Sequence, residues 1–358
     1  MQNLIIIDNS RFISLKIRID LFKRLSKDYK VKLYYLREDS KIKENIYISD
    51  NFSTQRLGLI TFIKLITQIY RTDKILTFTI RPLIIGFLLK HICPRLSLYP
   101  TITGTGPLID SNNWIYKCLR FFYPIILSSA QHIFFHNRDD ANYLTKKNKK
   151  QNFTITGGSG IEISQKKSTK INYKIPENIP KIACFSRLII DKGILHYLKA
   201  TEIIFKEYPF MKDNIYLAGI KYKGNFKNNT LNDSDLQKWE KAGGIYIGQP
   251  SNVKAFYSSI DIICLPSFRE GLSNVLLEAG NADCLLMSTN VPGCIDIIEN
   301  DCGIVFEPRS TESLYKALKK VIFLPINEQI KFKNNLFEKN IKKFSKQRVI
   351  QDYLNIIN

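Results

Sequence analysis

Short apolar runs alternate with amphipathic segments throughout the first half of the chain. Runs rich in branched aliphatic residues predict buried parallel strands, because helices cover both faces of such a sheet. They fall at 4–7, 31–36, 75–79, 96–102, 132–136 and 153–156. Segments with helical periodicity lie between them at 13–26, 57–71, 82–91, 112–129 and 139–146, the last with Asp139 or Asp140 as its N-cap. The alternation predicts a doubly wound α/β domain over 1–163.

The same alternation resumes after a polar stretch at 164–180, which we interpret as a linker. Six further apolar runs predict a second parallel sheet, at 181–186, 214–219, 244–248, 260–265, 285–288 and 303–306. This second domain covers 181–343, and an amphipathic segment at 344–358 follows it. A chain of 358 residues is long enough for two domains of ordinary size. The fold class is therefore α/β, with two Rossmann-like domains.

We expect neither a secretion signal nor a membrane span in this sequence. Its N-terminus, MQNLIIIDNS, lacks the basic and long apolar regions of a signal peptide, and no stretch of about 18 uncharged apolar residues occurs. The seven cysteines form no C-x-x-C pair, and those in apolar runs, such as Cys184 and Cys264, are predicted as buried hydrophobic residues. These features indicate a cytoplasmic protein.

The formal charge of +21 is unevenly distributed. Residues 1–163 contain 25 basic and 12 acidic side chains, whereas 164–358 contain 28 and 20. Such a balance suits phosphate-bearing ligands, an anionic membrane surface or nucleic acid. The chain lacks an interleaved aromatic and basic binding motif, so we expect no nucleic-acid partner. The segment 112–129 mixes aromatic, apolar and basic residues as membrane-interface helices do, although Trp114, Leu119 and Phe122 could instead face the core.

The richest candidate chemistry lies at 260–308. An apolar strand ends at Pro266-Ser267, a polar loop carries Glu270, and Ser273 is the predicted N-cap of the next helix. Glu278 then lies about 7 Å into that helix at 1.5 Å per residue. Ligands of open α/β sheets gather at the carboxyl ends of strands, so both carboxylates would border such a crevice. Taken alone, the two acids could equally be solvated surface residues.

The order of these residues resembles a known enzyme family. The spacing Glu270-x7-Glu278, preceded by Pro-Ser and followed by Val291-Pro292-Gly293, is similar to that of GT4-type retaining GT-B glycosyltransferases. The segments FTIRPLIIGFLLKH, TITGTGPLI, HIFFHNRDDANYL and ITGGSGIEI resemble bacterial members that build capsule, O-antigen or N-glycan intermediates on lipid carriers. The resemblance implies the GT-B architecture, in which two doubly wound Rossmann-like domains face each other across a cleft. It also implies that 344–358 packs back on the first domain.

The resemblance assigns roles to individual residues. Glu270 would contact the donor sugar, Glu278 the ribose, and Arg187 and Lys192, in CFSRLIIDKG, the diphosphate. Without the resemblance, those two cations could be surface residues beside a helix capped by Asp191. The remaining donor-binding candidates are Gly248 and Val253 near the base, and Gly271, Leu272, Ser273 and Asn274 in the segment that follows Glu270. The acceptor-side candidates, in the first domain, are Arg18, Gly104 and Thr105.

Two features test the resemblance. The family commonly has Gly and Pro after the Glu278 helix, where this chain has Asp283 and Leu285. Asp283 is expected to tolerate a left-handed turn there, although weak activity would also follow from a poor turn. The motif Asp233-Ser234-Asp235 follows no strong strand, so we interpret it as a helix N-cap with an acidic first turn rather than a metal site. We therefore expect no metal.

The resemblance implies a hexosyl- or N-acetylhexosaminyltransferase that retains anomeric configuration. By the same resemblance, the first domain would bind a saccharide acceptor linked to polyprenyl diphosphate. The second would bind a nucleotide-sugar donor, expected to be a UDP-sugar, without any cofactor. The protein would lie on the inner face of the plasma membrane. The alternatives are a UDP-sugar epimerase of GT-B fold, a non-catalytic scaffold and a basic nucleic-acid-binding protein.

Overall fold

The computed structural model describes residues 1–38, 48–69, 74–110, 113–146, 151–163, 172–221 and 230–358. The chain divides into two compact units. The first comprises Met1–Gly160 with Lys343–Asn358, and the second comprises Ile161–Lys342. The first part of the predicted linker, 164–171, lies outside the described residues, as do the ends of two predicted helices at 70–71 and 112.

The first unit is a seven-stranded parallel sheet with helices between its strands. Its strands are β1 (Gln2–Ser10), β2 (Tyr29–Arg37), β3 (Phe52–Arg56), β4 (Lys74–Phe78), β5 (Ser97–Ile102), β6 (Ile133–Phe135) and β7 (Phe153–Ile155), in the order β3-β2-β1-β4-β5-β6-β7. Its helices are α1 (Arg11–Ile17), α2 (Ile19–Asp28), α3 (Leu59–Ile69), α4 (Ile80–Ile92), α5 (Pro107–Asp110), α6 (Trp114–Ser128) and α7 (Arg138–Thr145).

Helices cover both faces of this sheet. One core layer contains Leu65 of α3, Leu89 of α4 and Tyr123 of α6. The opposite layer contains Phe22 of α2 and Tyr353 of the C-terminal helix, Lys346–Ile357. Burial on both faces explains why the central strands consist of continuous apolar runs.

The second unit is a six-stranded parallel sheet. Its strands are β8 (Ile182–Phe185), β9 (Ile215–Ala218), β10 (Gly244–Tyr246), β11 (Ile262–Leu265), β12 (Leu285–Thr289) and β13 (Ile304–Phe306), in the order β10-β9-β8-β11-β12-β13. Its helices are α8 (Ile194–Glu207), α9 (Asp233–Ala242), α10 (Val253–Ser258), α11 (Asn274–Asn281), α12 (Ile295–Ile298), α13 (Thr311–Ile322) and α14 (Ile326–Lys339), so the C-terminal helix is α15. All six strands predicted for this unit are confirmed.

The structure corrects four local predictions. The single helix expected over 13–26 is broken at Arg18, whose buried side chain pairs with Asp8. Neither acid caps α7: the helix begins at Arg138, so both acids lie in its first turn, and the Asn137 side chain accepts from the amide of Asp140. The core alternative for α6 is wrong at two positions, since Trp114 and Phe122 are 72% and 53% exposed. The fourth concerns Asp191, which does not cap the helix that follows it; this residue lies beside the candidate active site.

Two other expectations are confirmed by local geometry, the acidic first turn of α9 and the burial of two cysteines. Asp233 and Asp235 occupy the first turn of α9 as predicted, but the cap position belongs to Asn232 and not to the motif itself. Cys184 and Cys264 are fully buried.

Within the described ranges, no cluster of His, Cys, Asp or Glu is arranged to hold a metal ion, and no helix is long and apolar enough to cross a membrane.

Candidate active site

The candidate site lies where the strand order of the second sheet reverses. The strands β8 and β11 are hydrogen-bonded neighbours, but β8 leads to β9 on one side and β11 leads to β12 on the other. Loops that leave two such strands at their carboxyl ends diverge, and the crevice between them is where ligands of open α/β sheets bind. The loops here are 186–193 and 266–273.

The two loops touch through their backbones. Lys192 ends a short 3₁₀ turn, and Gly193 follows it with φ 70°. A Cβ atom at Gly193 would lie 1.9 Å from the carbonyl oxygen of Pro266, so only glycine permits this approach. The amide of Phe268 donates to the carbonyl of Asp191 at 3.0 Å. Asp191 is therefore a loop contact and not the predicted helix cap, a position that Gly193 occupies.

This contact brings Lys192 to Glu270. The Lys192 Nζ atom lies 2.6 Å from Glu270 Oε1, and the two side chains are 14% and 16% exposed. Ser267 Oγ donates to the same oxygen at 2.8 Å. Within the described residues, Oε2 of Glu270 has no hydrogen-bond partner, so it remains available to a hydroxyl-bearing ligand.

The loop that carries Glu270 is supported from β12 and the turn after it. Thr289 Oγ1 donates to the carbonyl of Ser267 at 2.5 Å, and the amide of Ser273 donates to the carbonyl of Gly293 at 3.1 Å. Gly293 has φ 72°, and a Cβ there would lie 2.5 Å from the carbonyl oxygen of Gly271. The Val-Pro-Gly motif therefore packs its glycine against the Glu-Gly loop.

Glu278 lies in the helix after that loop. Ser273 caps α11 by accepting from the amide of Leu276 at 3.3 Å, as predicted. Glu278 is the fifth residue of the helix and is exposed. Burial raises the pKa of the Tyr257 hydroxyl, and the Glu278 carboxylate raises it further. The candidate ribose ligand therefore lies near a buried tyrosine.

The buried thiol of Cys294 also lies near the centre of the site. Burial raises the pKa of this thiol, and the Glu270 carboxylate raises it further. Sequence reasoning missed Cys294, Ser267 and Thr289. Only the adjacency of Pro266-Ser267 to Glu270 could have indicated one of them.

Within the described residues, Arg187 forms no hydrogen bond or ion pair with the side chains of Lys192 and Glu270. Its side chain is exposed just after β8, and within the described chain it forms no ion pair. Its carbonyl accepts from Ser186 Oγ at 3.1 Å and from the amide of Ile189 at 2.8 Å. Those bonds hold its backbone and leave its guanidinium in solvent, where it could meet an anionic ligand.

The candidate base site lies at the ends of the next two strands. Gly219, after β9, has φ 133°, and a Cβ there would lie 1.7 Å from the carbonyl oxygen of Ser186. Its amide donates to the carbonyl of Gly248 at 2.8 Å. Val253 begins α10, whose N-cap is Asn252. Gly248 and Val253 therefore border the same edge of the sheet, beyond the loop that contains Arg187.

The departures at Asp283 and Leu285 fit the fold. Asp283 has φ 62°, in the left-handed region expected for this turn, and its carboxylate lies 3.2 Å from Lys333 Nζ. Leu285 is buried at the start of β12. The turn between α11 and β12 therefore forms without the family's usual glycine.

Two of the three acceptor-side candidates, Arg18 and Thr105, have protein partners in the first unit. Arg18 pairs with Asp8 at 2.9 Å, with only 7% and 2% of the two side chains exposed, and stacks 4.4 Å from the Phe78 ring. Thr105 binds Asp140 through its hydroxyl at 2.5 Å and its amide at 3.1 Å. Both side chains therefore stabilise the unit itself.

Gly104 and His136 lie close to these two residues, Gly104 next to Thr105 in the chain and His136 near Arg18. Gly104 adopts φ 146°, within the loop that Thr105 fixes to α7. His136 follows β6 and is buried, and burial together with nearby Arg18 lowers its pKa to about 3. An acceptor role for Arg18, Gly104 or Thr105 stays a prediction.

Comparison with known proteins identifies the class. Residues 179–322 match the model of the family described as Glycosyl transferases group 1. The chain is 29% identical over 191 residues to the capsular polysaccharide biosynthesis glycosyltransferase CapM of Staphylococcus aureus, covering 50% of this chain and 47% of that protein. It is 26% identical over 179 residues to an uncharacterized glycosyltransferase of Haemophilus influenzae, covering 49% and 48%. The matched segment thus spans about half the length of each curated relative.

Solved structures resemble the whole chain. A glycosyltransferase from Rickettsia africae has a TM-score of 0.73 at 15% identity, covering 99% of this chain and 97% of that one. Sucrose-phosphate synthase from Thermosynechococcus elongatus has a TM-score of 0.76 at 15% identity, covering 100% and 98%. HepE of Anabaena, in complex with UDP and glucose, has a TM-score of 0.74 at 12% identity, covering 99% of each chain. At these identities the likeness shows the fold, which is GT-B.

The match of residues 179–322 to the glycosyl transferases group 1 model, the similarity to CapM and the GT-B neighbours together support a GT4-like glycosyltransferase. The resemblance stated from the sequence is confirmed.

Proposed function

We propose that the protein is a retaining glycosyltransferase that moves a sugar from a nucleoside diphosphate donor to a saccharide acceptor. The observation that carries the proposal is the ion pair between Lys192 and Glu270 at the switch point of the second sheet. It combines a cation for the donor's diphosphate with a carboxylate for its sugar. The family match over the same residues supports it.

The donor is proposed to be a UDP-sugar. The HepE structure is a complex with UDP and glucose, and a structure of the same fold, described as trehalose-6-phosphate from Escherichia coli, is bound with UDP-2-fluoro glucose. In this chain, Glu278 would hold the ribose, and the backbone at Gly248 and Val253 would contact the base. The sugar is proposed to be a hexose or an N-acetylhexosamine.

The proposed reaction breaks the bond between the anomeric carbon and the phosphate oxygen, and forms a bond from that carbon to an acceptor hydroxyl oxygen. The acceptor's proton passes to the departing phosphate on the same face of the sugar. Negative charge on the leaving diphosphate then has to be met by fixed cations. Arg187 and Lys192 would supply them, while Glu270 orients the sugar, and no metal or cofactor takes part.

The acceptor is proposed to be a saccharide linked to polyprenyl diphosphate, bound by the first unit at the inner face of the plasma membrane. The relative CapM serves capsular polysaccharide biosynthesis. The excess of 25 basic over 12 acidic side chains in residues 1–163 also suits an anionic surface. The pathway would then be the synthesis of a surface polysaccharide or glycan in a bacterium.

Thermal stabilisation by a panel of nucleotide sugars tests the proposal. A ligand that binds only the folded state raises stability by RT ln(1 + [L]/Kd), about 2.7 kcal/mol at one hundred times Kd. We expect at least one UDP-sugar to raise Tm in the wild type, and Lys192→Ala to lose most of that rise. Lys331→Ala is the matched control, because it removes an exposed lysine paired with Asp301. A panel in which no nucleotide sugar raises Tm would contradict the proposal.

Incubating the stabilising donor without acceptor then separates a transferase from an epimerase. A transferase leaves the sugar's configuration unchanged, whereas an epimerase converts the donor to its epimer.

A further inference from the structure

The helix α3 exposes apolar side chains on its outer face. Leu59, Ile60 and Ile63 are 78%, 72% and 57% exposed. They lie at i, i+1 and i+4, so they form one continuous face of the helix. The opposite face packs into the core of the first unit through Leu65 and Ile69. A helix that is apolar on both faces needs a second apolar surface to cover it.

The helices beside α3 have the same character. The helix α3 packs beside α4, and α4 packs beside α6. On α4, Leu88 and Ile92 are 49% and 42% exposed. The exposed apolar side chains of α6 are Trp114, Ile115, Phe121, Phe122 and Ile125. We call the outer faces of α3, α4 and α6 the apolar layer.

The basic side chains around the apolar layer indicate which kind of partner would cover it. The three helices contain no Asp or Glu, and between residues 51 and 138 there are ten Lys or Arg residues and only two acids, Asp73 and Asp110. Lys64, Arg81 and Lys117 are exposed. Aromatic and aliphatic side chains surrounded by basic ones match the boundary between the acyl chains and the anionic headgroups of a bilayer.

We propose that the apolar layer docks on an anionic lipid bilayer, with α3 and α6 inserting their outer side chains at the interface. The proposal rests on the proposed function for the role of the surface, because a lipid-linked acceptor has to be met at a membrane. The helices lie on the bilayer, since none within the described ranges is long and apolar enough to span it.

Vesicle flotation tests the proposal with phosphatidylcholine vesicles, with and without phosphatidylglycerol. The wild-type protein is expected to float with the anionic vesicles and to dissociate partly at high salt. Each exposed Leu or Ile that enters the interface should raise the partition coefficient by about tenfold. The α3 variant Leu59→Ser/Ile60→Ser/Ile63→Ser should therefore bind at least about tenfold more weakly.

A matched control comes from the second unit. Ile203, Val305 and Ile330 are 41%, 40% and 44% exposed, so replacing them with serine removes similar apolar groups outside the apolar layer. This variant should bind vesicles as the wild type does. Equal binding by the α3 variant and the wild type would overturn the proposal, as would a wild type that never floats.

Tryptophan fluorescence gives a second readout without any substitution. Trp114 is 72% exposed on α6, whereas Trp239 is fully buried in the second unit. Brominated lipids should quench only the Trp114 contribution, and Trp114→Phe should remove the quenching. Quenching that persists in Trp114→Phe would overturn the assignment of the inserted surface.

Self-association is the competing explanation for an exposed apolar layer. If light scattering without vesicles shows a dimer that the α3 variant loses, a second copy covers the layer, and the lipid proposal is overturned. Donor stabilisation is measured on the same samples. A wild type that floats without responding to any nucleotide sugar contradicts the proposed donor chemistry and leaves this inference standing. One that responds but does not float contradicts this inference and the proposed membrane location, and leaves the donor chemistry standing.

Discussion

Lys192 and Glu270 are 78 positions apart in the chain and 2.6 Å apart in the structure, measured from Nζ to Oε1. The pair exists because Gly193 lets the loop after β8 lie directly against Pro266 at the end of β11. Lys192 has three N–H donors, so a diphosphate can bind it without displacing Glu270. The pair therefore presents a cation and an acceptor oxygen to the donor in a geometry that exists before the donor binds.

Removing either proposed phosphate ligand should slow turnover. Lys192→Ala and Arg187→Ala each delete positive charge that meets the departing diphosphate, and loss of one such group costs about 10²–10³ in rate. Steady-state kinetics with the donor identified by thermal screening measures the effect. Lys331→Ala should keep the wild-type rate. Near-native turnover in both Lys192→Ala and Arg187→Ala would refute the assignment.

The two acids should affect different kinetic constants. Glu278→Gln should chiefly raise the donor KM, because the ribose contact is the same in the ground state and the transition state. Glu270→Gln should chiefly lower kcat, because the sugar ring it contacts changes charge during the reaction. The opposite pattern would mean that the two roles are exchanged.

Ser267 should act by positioning Glu270. Ser267→Ala removes the hydroxyl that donates to Glu270 Oε1 at 2.8 Å, and a hydrogen bond to a charged group contributes about 1.5–3 kcal/mol. We expect kcat to fall by about ten- to hundredfold with little change in the affinity for UDP. Ser288→Ala is the control, because it removes a buried hydroxyl that donates to Leu265 instead. An equal loss of kcat in both variants would show that Ser267 contributes only to packing.

Alanine should destabilise the folded protein more at Gly193 than at Gly248, because the space around the two glycines differs. Gly193 and Gly248 have φ 70° and 66°, but only Gly193 has a backbone atom where a Cβ would lie. Gly248→Ala should cost about 1–2 kcal/mol, the penalty of a left-handed L-residue. Gly193→Ala should cost more, because the two loops would also have to separate. Urea unfolding measures the loss of stability in both variants. Equal losses would show that the close approach of Gly193 to Pro266 adds nothing to the penalty.

Stability should fall in acid because of His136. Its pKa is lowered to about 3 in the folded protein, against about 6.5 when unfolded, so the unfolded state binds more protons between these values. The contribution of His136 to the free energy of unfolding is complete above pH 6.5. It is lost as the pH falls, by up to about 1.4 kcal/mol per pH unit. Urea midpoints from pH 4 to pH 7 should show a shallower slope in His136→Gln. An unchanged slope would contradict the prediction.

The second unit follows from its sequence more completely than the first. Its strands are short apolar runs with clear ends, and Ser273 and Asp283 occupy local conformations that residue type alone indicates. The strand β3, with the sequence FSTQR, escaped detection because it is a polar edge strand. The broken helix at Arg18 was missed because its cause is a contact with Asp8 on another element.

The candidate site was predictable only in part. Motif spacing indicated Lys192, Glu270 and Glu278, but the partners of Glu270 depend on contacts between different loops. Thr289 supports Ser267 from a neighbouring strand, and no local pattern carries that information. Periodicity likewise predicted α3 without showing that Leu59, Ile60 and Ile63 are exposed, because the burial of each apolar position depends on which other elements pack against it.

A crystal structure of the protein with UDP tests the central claim most directly. The account predicts that a diphosphate oxygen lies within about 2.7–3.2 Å of Lys192 Nζ, with the ribose beside Glu278 and the base near Gly248. UDP bound away from the loops 186–193 and 266–273, or no UDP at a saturating concentration, would contradict it.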